Sequence, residues 1–190
     1  MRNADCGGGW NPALQAPAAG AAAGGMGGVD VADQPNEPGL PVRRFPAHPS
    51  PVVRLGAPTI LLVTVCTVDR APILANVSAH RALVAAWCQA DDWAVGSYVV
   101  MPDHVHLFCS PAGGSGRTVK EWAAYWKTQT GEQLQSLRGA FQRDCWDTQM
   151  RTRGHYCRKL EYVKDNPVRR GLVANAGDWP YAGCLNSLWW

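Results

Sequence analysis

Two histidines separated by a single residue, His104 and His106, leave a Pro102-Asp103 turn that follows the apolar run Val99-Val100-Met101. On an extended strand successive side chains alternate between faces. The two imidazoles therefore project one way while Val105 and Leu107 project the other. Imidazole is the commonest protein metal ligand, and two on one strand face sit close enough to share a divalent ion. A His-x-His on a solvated face also reads as two ordinary polar groups, so the pair alone leaves both meanings open.

A second group lies downstream. Placing residues 154–167 at about 100° per residue on a helix gathers Tyr156, Leu160 and Val163 on one side, with Cys157 flanking them. His155, Arg158, Tyr162 and Asn166 gather on the opposite side. Tyr156 is then a core tyrosine. Tyr162 stands four residues after Arg158 and four before Asn166, which makes a phenol, a guanidinium and an amide neighbours on one polar surface. That patch suits a nucleophile beside a cation, and it also suits a tyrosine that merely lies on a helix surface.

The elements that must position these residues are legible. Thr59 to Thr67 is a β-branched, apolar run bounded by Pro58 and Asp69-Arg70, the pattern of a buried strand. Ser78 is placed to cap a helix with Ala82, Leu83, Ala86 and Trp87 at helical spacing, ended by Asp91-Asp92. Trp93–Met101 and His104–Ser110 read as strands joined by a tight antiparallel connection. Thr118 and Glu121 form a capping box for a helix to about Thr130, with Val119, Trp122, Ala123 and Trp126 as its apolar stripe and Lys120 and Lys127 off it. Residues 131–139 read as a short helix or excursion, and Cys145–Arg151 as a fourth strand. The order strand–helix–strand–strand–helix–strand predicts an α+β fold: a ferredoxin-like split βαβ antiparallel sheet with helices on one face. An additional C-terminal helix would carry Tyr162.

Composition sets the frame. Residues 1–50 are Gly/Ala/Pro-rich and too poor in apolar side chains to offset the entropy of ordering, which predicts a disordered tail before a folded domain over 51–190. No compact apolar segment suggests a signal peptide, and no window reaches the ~18 apolar residues of a membrane span. Seven cysteines without any Cys-x-x-Cys argue against a disulfide framework and a structural zinc knuckle, so a reducing cytoplasm is expected. The net charge is only +3, but the segment Arg138–Arg170 holds nine basic residues against four acidic ones, a local excess of +5. Such a surface suits a phosphate backbone, as it would suit a solvated helix with scattered ion pairs.

Three stretches carry a resemblance: Met101-Pro102-Asp103-His104-Val105-His106-Leu107, then Tyr162-Val163-Lys164-Asp165-Asn166-Pro167-Val168-Arg169-Arg170-Gly171-Leu172-Val173, then Asp178-Trp179-Pro180-Tyr181. Over about residues 57–183 the chain resembles the HUH single-strand transposases, and among them the REP-associated tyrosine transposases. It departs from their pattern at Phe141 and at Cys145-Trp146-Asp147, which bears on packing around the last strand.

The resemblance implies a metal-dependent single-stranded DNA endonuclease and strand transferase of a mobile element, forming a 5′-phosphotyrosine intermediate on hairpin or palindromic repeat DNA. It makes Tyr162 the nucleophile and gives Mg²⁺ or Mn²⁺ to His104, His106 and Asn166. Arg151, Arg153, Arg158, Arg169, Arg170, Lys120 and Lys127 become candidates for DNA contact. Trp146 and Trp179 fit base stacking less well than core packing. No organic cofactor and no membrane are implied, and the chain would act as a monomer or homodimer. Two alternatives accompany this expectation. One is a domesticated DNA-binding protein that no longer cleaves. The other is a small zinc hydrolase using His104, His106 and His155.

Overall fold

The structure is a computed structural model describing residues 46–52, 58–113 and 116–189. Most of the expected tail, residues 1–45, lies outside the described residues. Five strands, β1 (Leu61–Cys66), β2 (Trp93–Val100), β3 (His104–Pro111), β4 (Trp146–Gln149) and β5 (Ala182–Cys184), form one sheet in the order β4-β1-β3-β2-β5. Every adjacent pair is antiparallel. The first four strands have the expected split βαβ arrangement, with β3 inserted between β1 and β2. β5 is an addition beyond the sequence expectation. Its three residues, two of them Ala182 and Gly183, carry too little β-branched or aromatic character to announce a strand.

Strand alternation sorts the side chains into two layers. Leu61, Val63, Val65, Val105, Leu107 and Cys109 point to one face and pack against α1 (Val77–Gln89) and α2 (Val119–Gln133). Ile60, Leu62 and Phe108 point to the other, against Tyr156, Leu160 and Val163 of α3 (Arg153–Lys164). The expected core side of α3 is therefore the observed one. Trp179 joins this second layer, buried, with its indole N–H donating to the Val100 carbonyl over 3.0 Å.

Local chemistry explains the boundaries. Asn76, rather than Ser78, caps α1: its side-chain oxygen accepts from the Ala79 amide at 2.9 Å. The capping box of α2 forms as expected, Thr118 and Glu121 each accepting from the other's backbone amide. This helix runs three residues past Thr130. A side chain on Gly131 would meet the Arg138 backbone at 3.0 Å, so a glycine is needed where the chain folds back. The helix expected over 154–167 is divided. Pro167 has no N–H to give the Val163 carbonyl, so α3 ends at Lys164 and a separate turn, α4 (Asn166–Arg169), begins with that proline inside it.

Residues 46–52 run beside the edge strand β4. The Val52 amide and carbonyl both bond the Gln149 side chain, at 3.0 and 2.8 Å. His48 reaches Asp144 and Asp147.

Candidate active site

β3 and its turn carry the centre of the site. His104 and His106 lie on the α3 face of the sheet, both buried, with their Nε2 atoms 3.2 Å apart. Each ring is held from behind. Asp103 Oδ1 accepts from His104 Nδ1 at 2.7 Å, and Thr64 Oγ1, directly across on β1, lies 2.8 Å from His106 Nδ1. The Asp103 carboxylate, which can only accept, puts the His104 ring hydrogen on Nδ1 and leaves His104 Nε2 with its lone pair. The Thr64 hydroxyl can donate or accept, so at 3.2 Å either a His106 proton or a cation can lie between the two Nε2 atoms. Burial lowers the pKa of both imidazoles. For His104 the Asp103 carboxylate offsets part of that effect, while for His106 the neighbouring His104 adds to it. Both rings are thus kept neutral, the form that ligates metal.

The carboxylate behind His104 is the hub of a charge network. Asp103 Oδ2 pairs with Arg70 Nε at 3.0 Å and with Arg170 Nη2 at 3.6 Å. Burial pushes the Asp103 carboxyl up, but the His104 hydrogen bond and the two guanidiniums outweigh it and hold the group below its usual range. Arg70 is presented by a turn in which Asp69 and Arg70 both have positive φ, 50° and 56°, and it also donates to Cys66 Sγ. Strained non-glycine backbone of this kind persists where surrounding contacts enforce it.

Tyr162 reaches the site from α3. Its ring centroid is 6.3 Å from that of His106, nearly edge-on. The Arg169 guanidinium lies 4.8 Å from the centre of the phenol ring, and Lys159 Nζ lies 5.9 Å from it. Asn166 is buried at the start of α4, whereas an unbroken helix would leave it on the polar surface with Arg158 and Tyr162. The Pro167 break accounts for the difference.

The remaining expected residues divide by position. Arg151, Arg153 and Arg158 are exposed, at the end of β4 and on α3. Arg169 sits on the tyrosine and Arg170 on Asp103. Lys120 and Lys127 belong to α2 on the opposite face of the sheet. Lys120 pairs with Asp144 at 3.0 Å, and Lys127 donates to the carbonyls of Gln142 and Arg143. These two lysines are not brought to the histidine pair.

Among the described residues, no third histidine, cysteine or carboxylate joins the two imidazoles in a cluster of donor atoms within 4.8 Å of one another. His155 does not supply the third ligand that a zinc hydrolase would need. The donor set present, two neutral nitrogens, fits a borderline divalent ion better than Mg²⁺, which prefers oxygen.

Three residues important to this geometry escaped the sequence reading. Asp103 reads in the sequence as half of a turn and as part of the stretch around the histidines, with no role of its own. Thr64 could be found only through strand register, and Arg70 only through the left-handed turn that aims it.

No family model matches the chain. It is 28% identical over 120 residues to a Haemophilus influenzae protein named "Putative REP-associated tyrosine transposase", covering 56% of this chain and 67% of that one. It is 26% identical over 88 residues to the REP-associated tyrosine transposase of Escherichia coli K12, covering 46% of this chain and 52% of the relative. Its fold is shared with a REP-associated tyrosine transposase solved bound to a REP hairpin, with a TM-score of 0.56 and 22% identity over 70% of this chain and 81% of that one. The chain is thus similar in sequence, over part of its length, to two relatives that carry the name REP-associated tyrosine transposase, and it shares the fold of a solved one.

Proposed function

We propose that this protein is a metal-dependent endonuclease and strand transferase for hairpin or palindromic single-stranded DNA, with Tyr162 as its nucleophile. The observation that carries the reading is the approach of the Tyr162 ring to 6.3 Å from His106, beside paired imidazole nitrogens 3.2 Å apart. His104, His106 and Asn166 would hold a divalent ion, Mn²⁺ or Mg²⁺. When bound, it supplies Lewis-acid stabilisation of the charge that develops on a scissile phosphate.

The chain's own residues account for the rest. Tyr162 Oη attacks phosphorus, forming a phosphotyrosine bond while the bond to the 3′ oxygen breaks. The phenol proton leaves to solvent and the departing 3′ oxygen takes one up. A covalent link conserves the phosphodiester energy, so a free 3′-hydroxyl can reverse the step on another strand. A phenol with a pKa near 10 is a poor nucleophile at neutral pH; the Arg169 guanidinium and the Lys159 ammonium lie over its ring, where they would attract the strand's phosphates. Asp103 fixes the His104 tautomer, and Thr64 holds the His106 ring in place. Arg153 and Arg158, exposed on α3, and Arg151, exposed just before it, would follow the strand's phosphates.

The test is a denaturation-resistant adduct between the protein and a 3′-end-labelled hairpin in Mn²⁺. Wild type should form it at Tyr162. Tyr162→Phe should lose it while binding the hairpin within about threefold of wild type. Adduct formation by Tyr162→Phe refutes the assignment, and hairpin binding without adduct in the wild type favours a domesticated binding protein.

A further inference from the structure

On the opposite face of the sheet from the histidine pair, His48, Asp144 and Cys145 bring an imidazole nitrogen, a carboxylate oxygen and a sulfur within 4.8 Å of one another. We propose that these three residues form a binding site for a zinc-class divalent cation, which fastens segment 46–52 to the edge of the sheet beside β4. The inference is independent of the proposed nuclease activity.

The donor set decides the class of ligand. A thiolate, an imidazole and a carboxylate together suit zinc, whereas a sulfur donor disfavours Mg²⁺ and Ca²⁺. The arrangement is built from distant parts of the chain, His48 lying 96 residues before Asp144. His48 Nε2 is 2.7 Å from Asp144 Oδ1, and its Nδ1 is 2.5 Å from Asp147 Oδ1. With Asp147 behind Nδ1, the ring has the carboxylate partner that typically orients a ligating histidine, and an ion at Nε2 would replace the present contact with Asp144 Oδ1. His48 itself has φ of 42°, so the backbone accepts an unfavourable left-handed conformation to aim this ring.

Binding must work against the burial of the thiol. Cys145 is buried, and burial, with the neighbouring Asp147 and Asp144 carboxylates, pushes its thiol up to about 12 against the pull of Lys127 and Lys120. A buried sulfur of that kind becomes an anion only with a cation in contact. Binding would release the thiol proton to solvent, and a dication would then be balanced by the Cys145 and Asp144 charges. Asp144 Oδ2 pairs with Lys120 at 3.0 Å, while Oδ1 accepts from the Cys145 amide at 2.9 Å and faces His48 Nε2, the contact that an ion would replace. Segment 46–52 is otherwise tied to β4 through the Val52–Gln149 pair, which leaves the cluster as its other anchor.

The experiment uses the full chain, reduced and metal-free, carrying His104→Ala and His106→Ala so that the other site is silent. Equilibrium dialysis should give one zinc per chain, and cobalt should give a thiolate-to-cobalt charge-transfer band. His48→Ala, in a segment outside the core, should weaken cobalt binding at least tenfold, and Cys145→Ser should abolish the band. Less than one zinc per chain, no thiolate band, or a band that survives Cys145→Ser overturns the proposal. If Cys145→Ser does not fold, unchanged cobalt affinity in His48→Ala overturns it alone.

Discussion

Asp103→Asn separates a metal-binding histidine pair from two histidines that are merely buried. The change keeps the side chain's shape and removes its charge. In the wild type, Asp103 Oδ1 takes the His104 Nδ1 hydrogen at 2.7 Å with the carboxyl side chain 9% exposed. A buried hydrogen bond to a charged acceptor contributes about 1.5–3 kcal/mol. Oδ2 faces Arg70 and Arg170, whose side chains are 36% and 26% exposed, so solvent screening reduces those pairs to about 0.5–1 kcal/mol each.

An asparagine cannot serve both sides. If its oxygen faces His104, its NH₂ faces two guanidiniums; if it turns over, two donors meet at His104. Either rotamer costs about 2 kcal/mol of stability, and loss of the charged partner behind a ligating histidine weakens metal binding by about 10–100-fold. A Mn²⁺ titration followed by electron paramagnetic resonance reads the affinity, and urea denaturation of the metal-free chain reads the stability. Nicking by the variant should recover as Mn²⁺ is raised. Wild-type Mn²⁺ affinity in Asp103→Asn refutes the role given to the carboxylate, and a wild type that binds no Mn²⁺ refutes the metal site itself.

Thr64→Val removes the oxygen facing His106 Nδ1 and strands a buried ring nitrogen; urea denaturation should show a loss of about 1–3 kcal/mol, and Mn²⁺ affinity should fall with it. Gly183→Ala would put a methyl 2.6 Å from the Tyr98 hydroxyl and 2.9 Å from its ring carbon, in a tyrosine that is 4% exposed and held by His80. Overpacking of about 1–3 kcal/mol should loosen β5, read as faster amide exchange over 182–184; unchanged exchange counts against that packing. Burial holds His80, His104 and His106 all below the ordinary imidazole pKa. Below about pH 6.5 the unfolded chain therefore binds protons that the folded chain refuses, and stability must fall with acidification. The metal-free protein should show a lower urea midpoint at pH 5.5 than at pH 7.5, a window above the range where the lowered Asp103 and Asp144 carboxyls titrate; an equal or higher midpoint contradicts the burial effect.

What the sequence made legible follows from the range of the forces involved. The His-x-His strand, the hairpin before it and the capping box at Thr118 are decided by neighbours a few residues apart, and each forms where expected. The two sides of α3 are also local consequences of helical period, so Tyr156 lies in the core while Tyr162, partly buried, lies beside His106. Register is a different matter. That Thr64 stands opposite His106, and Cys66 opposite His104, depends on how β1 slides along β3, and period alone does not fix the slide. Asn166 illustrates the intermediate case. Its burial was encoded locally, by Pro167 removing the hydrogen bond that would have continued the helix, yet a helical projection carried through the proline returned it to the surface.

The same distinction accounts for the division among the cations. Arg151, Arg153 and Arg158 remain at the surface, where a basic composition implies a role, while Arg70, Arg169 and Arg170 are drawn to Asp103 and Tyr162 by contacts across the fold. A positive surface attracts a nucleic acid from a distance, but cations arranged around one carboxylate and one phenol act on charge at ångström range. The basic excess over 138–170 therefore combines two physical tasks that only the folded chain separates. Salt should weaken hairpin binding through the exposed arginines far more than it disturbs the Arg70–Asp103–Arg170 network, because that carboxylate is largely withdrawn from the screening solution.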